Sequence, residues 1–339
     1  MKDIQTRQKI AILRVLKDAY DPVGSSQIAE ELKSHGFELC GRTIRLYLQE
    51  MEQEGLVTPA KRGRDGGRTL TYLGHEEVRN ALVKERVSLL ASRVDSLASQ
   101  VTFDPVTRQG LVALNLTLLD RLHLPGAIRE ILPVFRDGMS MGRLVAFGRP
   151  GETIGGFLIP PGKVAVGTVC SVTLNGVLLG SRVPTRSLFG GVLEIENKTP
   201  IRFSDVIFYS GTSLDPLEVF IKAKLTTVRK AARTGSGRIG AGFREFPSSA
   251  LPEVERVSQL MHEIGVGGCL MIGKPNQALL DFPVEEDRTG FLINGGLNPM
   301  AAVEEAGFPT ASHALSTVFD FNKLIHYEEL VDLVMREEY

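Results

Sequence analysis

The sequence has 339 residues, of which 43% are hydrophobic and 23% are charged, and its 39 Lys and Arg nearly balance its 40 Asp and Glu. This composition excludes a disordered or generally basic chain and allows two or three domains, each with its own core. Any affinity for nucleic acid must therefore come from a local cluster of cations.

Cysteine content and hydropathy indicate the compartment. The three cysteines are odd in number and widely spaced, so they indicate neither a disulfide framework nor a metal-binding knuckle. No apolar run is long enough for a signal sequence or a membrane span. We therefore expect a cytoplasmic protein without membrane association.

Residues 1–74 are predicted to form a winged helix-turn-helix domain. A first helix is expected over residues 7–20, where apolar residues recur every three or four positions. A second helix begins near Ser25, and a third opens near Gly41 and stops at Gly55. The core stripe of the third helix consists of Ile44, Leu48 and Met51.

The opposite face of the third helix is predicted to read DNA. At about 100° per residue this face carries side chains that suit base edges and thymine methyl groups. These side chains are Arg42, Thr43, Arg45, Leu46 and Gln49.

Two short strands, residues 56–60 and 69–73, are predicted around a basic tip. The cations of this tip are Lys61, Arg62, Arg64 and Arg68. Glycines between them allow a close approach to DNA, and guanidinium groups suit phosphate oxygens, so the hairpin is predicted to be a DNA-binding wing. The alternative is a solvated hairpin used for protein contacts.

Residues 75–101 are predicted to form a connector helix. From Val83 to Val101 the apolar residues step alternately by four and three positions, a seam with a period of about 3.5 residues. Such a seam either joins two chains or packs on the following domain, and the sequence leaves both open. In either case the helix links the DNA-binding domain to the rest of the chain.

Residues 102–339 are predicted to form an α/β regulatory domain. Short β-rich runs alternate with helices, which are expected at residues 124–135, 215–232 and 251–264. The pair Asn175-Gly176 between apolar runs predicts a β-hairpin.

The regulatory domain is also predicted to contain an internal repeat. Short matches recur in one order at an offset of about 123 to 127 residues. They pair Leu124-Pro125 with Leu251-Pro252, Gly148-Arg149-Pro150 with Gly273-Lys274-Pro275, Pro160 with Pro283, Leu174-Asn175 with Leu297-Asn298, and Asn197-Lys198 with Asn322-Lys323. We expect two related lobes, residues 102–233 and 234–339, with a cleft between them. The predicted fold class is thus α/β multidomain, with a winged helix, a connector helix and a two-lobed regulatory domain.

Glycine-rich turns with nearby cations provide candidate contacts for an anionic effector. The candidates are Arg244, Lys274, Asn276, Gly295, Gly296 and Asn298. Backbone N–H groups at a turn into a helix, with a cation close by, suit a carboxylate.

Enzyme signatures are missing or out of context. Residues 235–240 spell the glycine pattern of dinucleotide-binding loops, but they follow a helix and enter a strand, the reverse of what phosphate binding requires. No catalytic or metal-ligand motif accompanies the six scattered histidines. We expect no catalytic residue, no metal and no cofactor.

Residues 209–220, 243–247 and 295–299 resemble the regulatory domain of the NrpR nitrogen-regulatory repressors, and the resemblance spans nearly the whole chain. It implies a winged helix followed by one regulatory domain, in a dimeric repressor that binds inverted-repeat operators of nitrogen-assimilation genes. It also implies that 2-oxoglutarate relieves repression and that a PII-type signalling protein is a partner in some members. It assigns no effector contact to a particular residue.

Two other functions are considered. One is an enzyme in which a winged helix is fused to a catalytic domain, as in biotin-ligase repressors, because residues 61–68 faintly resemble a Gly-Arg-rich biotin loop. The other is a DNA-independent assembly protein that uses the helix from Val83 as its interface. Turnover with ATP and biotin would identify the first, and loss of operator binding on changing Arg45 would exclude the second.

Overall fold

The computed structural model describes residues 2–19, 22–34, 36–59, 67–71, 73–74, 77–78 and 89–335. Contacts between residues divide the chain into two units, residues 1–87 and 88–339. The predicted connector, residues 75–101, is divided between the two units: Val78 is buried in the core of the first unit, whereas residues 89–100 form a helix of the second unit, whose core includes Leu90, Val94 and Leu97. This part of the seam therefore packs on the following domain. Val83 and Val87 lie outside the described residues.

The first unit consists of three helices and a two-stranded hairpin. Its elements are α1 (Lys2–Asp18), α2 (Ser25–Ser34), α3 (Gly41–Gln53), β1 (Val57–Pro59) and β2 (Arg68–Leu70). Its core includes the fully buried side chains of Ile12, Leu13, Ile28, Leu32, Ile44 and Met51. Val23 and Arg68 exchange two backbone hydrogen bonds of 3.2 and 3.0 Å, which tie the hairpin to the segment between α1 and α2. This arrangement is the predicted winged helix-turn-helix.

The second unit combines eight described helices with two larger sheets and one small hairpin. Its helices are α4 (Leu89–Gln100), α5 (Leu124–Arg136), α6 (Val172–Gly180), α7 (Pro216–Lys222), α8 (Val228–Thr234), α9 (Leu251–Glu263), α10 (Asn298–Glu305) and α11 (Glu329–Met335). Its strands are β3 (Leu111–Asp120), β4 (Leu144–Gly148), β5 (Thr153–Ile154), β6 (Phe157–Leu158), β7 (Lys163–Val169), β8 (Arg186–Glu196), β9 (Thr199–Phe208), β10 (Gly237–Pro247), β11 (Cys269–Ile272), β12 (Arg288–Asn294), β13 (Thr310–Asp320) and β14 (Ile325–His326). Among the described helices, none is long and apolar enough to cross a membrane.

The two sheets show that the internal repeat is real. Each repeat has the order β-α-β-β-α-β: β3, α5, β4, β7, α6 and β8 in the first, and β10, α9, β11, β12, α10 and β13 in the second. The sheet orders are β13-β3-β7-β4-β14 and β11-β12-β10-β8-β9, with every pair antiparallel. The last strand of each repeat therefore completes the sheet of the other repeat.

This strand exchange changes the predicted lobes. A division at residue 233 would cut both sheets, because β13 pairs with β3 and β8 pairs with β10. The larger core cluster of the second unit accordingly draws residues from both repeats, and so does a smaller one formed by Phe189, Phe243, Leu279 and Leu292. The repeats are related in sequence, but they do not form separate lobes over residues 102–233 and 234–339.

Two local predictions were wrong. Asn175-Gly176 lies inside α6 and makes no hairpin, since residues 172–178 are all buried and tertiary packing overrides the turn signal. The helix expected over residues 215–232 is two helices, α7 and α8. The predicted cap is confirmed, because Asp215 Oδ1 accepts hydrogen bonds from the backbone N–H groups of Leu217 and Glu218 at 2.9 and 3.2 Å.

Candidate functional site

The outer face of α3 presents the predicted DNA-reading side chains together. Arg42, Arg45, Leu46 and Gln49 are exposed, and Thr43 is half-buried beside Cys40, with 3.2 Å between its Oγ1 and the Cys40 Sγ. Leu46 is 53% exposed, although its neighbours Tyr47 and Leu48 are buried. Leu46 follows Arg45, lies one helical turn after Arg42, and has no role in the core of this unit. It fits an apolar contact with a thymine methyl group.

The far end of α3 is held by α1. Lys9 Nζ lies 3.0 Å from Glu50 Oε2 and 2.8 Å from Glu54 Oε1, and Tyr47 donates a hydrogen bond of 2.9 Å to Gln8. Two carboxylates at the acidic end of the helix thus share one ammonium group of α1.

The described part of the wing contains one of its four predicted cations. Arg68 pairs with Glu52, with 2.9 Å between Nη2 and Oε2, so its charge is already matched inside the unit. Its predicted role as a phosphate contact is weakened for that reason. Lys61, Arg62 and Arg64 lie outside the described residues.

In the second unit a small cavity of about 20 Å³, room for about one water molecule, lies where several elements meet. Its polar lining includes Asn115 on β3, Cys170 and Ser171 at the start of α6, and Tyr209 and Asp215 before α7. Gly296 and Leu297 before α10, Ala314 and Leu315 of β13, and Val94 of α4 line it as well.

Arg244 of β10 lies behind the lining of this cavity, in contact with the lining residue Ser171. Its side chain is 1% exposed, and its Nη2 donates a hydrogen bond of 2.8 Å to Ser171 Oγ. Within the described part of the chain, Nε and Nη1 have no hydrogen-bond partner. Burial lowers the pKa of Arg244, because a charged guanidinium removed from water has the neutral Ser171 hydroxyl as its hydrogen-bond partner among the described residues. The site therefore favours an anion.

The surroundings of Arg244 are equally dry. Burial raises the pKa of Cys170 to about 11 and raises the pKa of Tyr209. It also raises the pKa of the Asp215 carboxyl group to about 6, although the residue as a whole keeps some exposure. In such surroundings a carboxylate from solution would meet strong, weakly screened donors.

Three of the other predicted effector residues serve different purposes. Asn298 is an internal brace: Oδ1 accepts from Gly240 N at 2.8 Å, and Nδ2 donates to Gly240 O at 2.9 Å and Met139 O at 3.0 Å. Both amide hydrogens are used, so the prediction that Asn298 orients the effector is wrong.

Lys274 and Asn276 are exposed and lie at the wrong end of β12. Asn276 N donates to Arg288 O at 2.9 Å, whereas Gly295 follows the other end of the strand. A seven-residue strand spans roughly 20 Å. The predicted convergence of Lys274 and Asn276 with Gly295 is therefore wrong. Gly295 and Gly296 are both buried, and Gly296 lines the cavity, where an added Cβ would lie 2.5 Å from Asn115 Nδ2.

Sequence reasoning missed Ser171, Tyr209 and Asp215 as components of the pocket. Tyr209 and Asp215 stand in the segment that carries the NrpR resemblance, which was an available signal. Ser171 has no local signature, because its contact with Arg244 spans 73 residues.

Replacing Asn298 with alanine is expected to lower the free energy of unfolding by about 3 kcal/mol or more, since a buried N–H and two carbonyl groups lose their partner. Asn175 is the equivalent residue of the first repeat, and its Nδ2 donates one side-chain bond, to Ser187. Asn175→Ala is therefore expected to cost about 1 kcal/mol. Urea unfolding measures both, and equal losses would contradict the bracing role of Asn298.

Comparison with known proteins identifies the family. The model described as NrpR regulatory domains NRD1 and 2 matches residues 87–326. The chain belongs to the NrpR family. A second model, the Ribonuclease R winged-helix domain, matches residues 10–78. Both matches confirm predictions from the sequence, the first for the NrpR resemblance and the second for the winged helix.

Curated relatives named NrpR or NrpRI match nearly the whole chain. The chain is 34% identical over 326 residues to the Global nitrogen regulator NrpRI of Methanosarcina mazei, which covers 96% of this chain and 99% of that protein. It is 26% identical to the Global nitrogen regulator NrpR of Methanococcus maripaludis and 28% identical to that of Methanocaldococcus jannaschii. The chain spans 54% of the length of each of these two relatives.

A solved structure shares the NrpR regulatory fold. A nitrogen repressor-like protein from Methanococcus jannaschii superposes with a TM-score of 0.60 at 28% identity, and the match covers 70% of this chain and 98% of the other.

Proposed function

We propose that this NrpR-family chain is a cytoplasmic repressor of nitrogen-assimilation genes rather than an enzyme. It binds an inverted-repeat operator as a homodimer and releases it when 2-oxoglutarate occupies the second unit. The exposed face of α3 supports DNA binding, and the regulator names of the relatives support nitrogen control. The basis for an effector is the chemistry of one buried side chain.

That side chain is Arg244, a buried guanidinium with two nitrogens that have no hydrogen-bond partner among the residues that the structure describes. A carboxylate that accepts hydrogen bonds from these nitrogens compensates the charge and satisfies the donors at once. Gly296 brings backbone to the wall of the cavity that Ser171, the partner of Arg244, also lines. This single observation favours a carboxylate effector over a neutral or cationic one.

Because the cavity is small, the effector can bind only if the conformation of its walls changes. Room for about one water molecule is several times too small for 2-oxoglutarate, so the walls must separate when the effector enters. The effector would then bind a more open arrangement of these walls. We propose that this opening changes the distance between the two α3 helices of the dimer, so that they can no longer contact both half-sites of the operator at once.

Operator binding is tested by its salt dependence. The duplex is the best binder selected from a random-sequence pool, and a scrambled duplex is the control. If a dimer neutralises roughly eight phosphates, the logarithm of the affinity falls with the logarithm of the salt concentration with a slope of about −7. A slope near zero, or equal affinity for the two duplexes, would exclude a sequence-specific repressor.

Effector affinity is expected to fall as the pH rises through about 6. Burial holds the pKa of Asp215 near 6, so its carboxyl group is mostly neutral below this value and repels an anion above it. Calorimetry with 2-oxoglutarate on both sides of pH 6 measures the change. Asp215→Asn keeps an Oδ1 to cap α7 and should flatten the profile. The same slope in this variant would show that another group titrates.

A further inference from the structure

Helix α4 forms part of the cavity wall and is also where the chain enters the second unit. Val94, 3% exposed, lines the cavity from α4. Leu90, Leu97 and Ala98 lie in the same buried core. Any rearrangement of the wall therefore acts directly on the first described helix that follows the winged-helix unit.

Gly176 allows α4 and the residue after it to pack closely against α6. A Cβ atom on Gly176 would lie 2.4 Å from Val101 Cβ and 2.7 Å from Ala98 O, so the two segments touch through bare backbone. Ser171, at the start of the same helix α6, holds Arg244 and lines the cavity. A nine-residue helix this closely packed moves as one body, so displacement of Ser171 displaces the seat of α4.

A second contact joins α4 to the opposite wall. The pairing of β13 with β3 shifts register between His313 and Thr317, and Leu315 within this bulge has a φ of 51°. Arg93 Nη2 on α4 donates a hydrogen bond of 3.4 Å to Ala314 O in the bulge. Glu218 accepts from Ala314 N, and Asn115 Oδ1 accepts from Leu315 N at 3.2 Å. A non-glycine residue held at positive φ beside a cavity marks a strained segment.

We propose that α4 transmits effector binding at the cavity to the DNA-binding unit. Two contacts hold α4 in the position that permits DNA binding: its packing against Gly176 and the hydrogen bond from Arg93 to the β13 bulge. The inference rests on the proposed effector site and adds which helix transmits binding at that site to the DNA-binding unit. A cavity that must enlarge pushes apart α6 and the bulge, which are the two walls that hold α4. Packed interfaces respond by helix shifts of about 1–2 Å rather than by gradual deformation.

Gly176→Ala tests the seat in the full-length chain. The added methyl group displaces α4 from α6 without an effector, so the variant should bind the selected operator as weakly as the wild type saturated with 2-oxoglutarate, a loss of about 5- to 150-fold. Calorimetry should give a 2-oxoglutarate affinity at least equal to that of the wild type, and the effector should cause no further release. Gly180→Ala is the matched control on the same helix, because no atom lies within 4 Å of its added Cβ.

Arg93→Ala tests the second contact and remains informative if Gly176→Ala does not fold, because Arg93 is exposed. Because one of the two contacts that hold α4 is lost, this variant should bind operator several-fold more weakly than the wild type without effector and bind 2-oxoglutarate at least as well, while the further release caused by 2-oxoglutarate falls several-fold. Arg93→Lys separates the hydrogen bond from the charge. Wild-type release in folded Gly176→Ala, or in Arg93→Ala, overturns the inference. A wild-type chain that does not bind 2-oxoglutarate instead overturns the proposed function, and the inference with it.

Discussion

Replacing Arg244 with methionine should abolish the response to 2-oxoglutarate and leave the protein at least as stable as the wild type. The variant loses charge-assisted hydrogen bonds to a buried carboxylate, worth about 2–5 kcal/mol, which is roughly a 30- to 5,000-fold loss of affinity. The apo protein, by contrast, is relieved of a buried charge that has one hydroxyl partner, so its free energy of unfolding should not fall.

Calorimetry measures the affinity, and urea unfolding with and without effector measures the stability. The effector should stabilise the wild type and leave Arg244→Met unchanged. Arg238→Met is the matched control, because Arg238 lies on the same strand and is only partly buried. Wild-type affinity in Arg244→Met would remove the carboxylate site, and a large loss of stability would show that Arg244 is a structural residue.

Replacing Arg45 with alanine should cost most of the operator affinity and relax the choice of sequence. One bidentate contact with a base edge is worth about 1–3 kcal/mol, and a two-fold dimer makes it twice, so the loss is roughly 30-fold or more. Folding should be unaffected, because Arg45 is exposed and its side chain donates a hydrogen bond to Gly41 O of its own helix.

Competition binding with the selected and scrambled duplexes measures both effects. Lys17→Ala is the charge-matched control, since Lys17 is an exposed cation of α1 that is not among the predicted contacts. Lys17→Ala should either lower the affinities for the selected and scrambled duplexes by the same factor or leave both affinities unchanged. If Arg45→Ala also lowers the two affinities equally, Arg45 contacts phosphate and the specificity lies elsewhere on α3.

The sequence by itself determined the features that depend on neighbouring residues. Amphipathic spacing located α3, because one helix face must be buried whatever surrounds it. The Asp215 cap and the starts of α5 and α9 follow from the chemistry of the first helical turn, with proline near the first position of each of the two longer helices. The repeat was visible for the same reason, since equivalent turns need equivalent residues.

Only the tertiary structure decided which strands pair and which charges meet. The exchange of β8 and β13 depends on pairing between segments far apart in the chain, and local pattern carries no information about the partner of a strand. Lys274 and Gly295 both follow apolar runs, yet antiparallel pairing put them at opposite ends of β12. Arg244 and Ser171 contact each other although 73 residues separate them in the sequence. The local sequence therefore could not show that the Arg244 guanidinium is buried away from water beside the pocket.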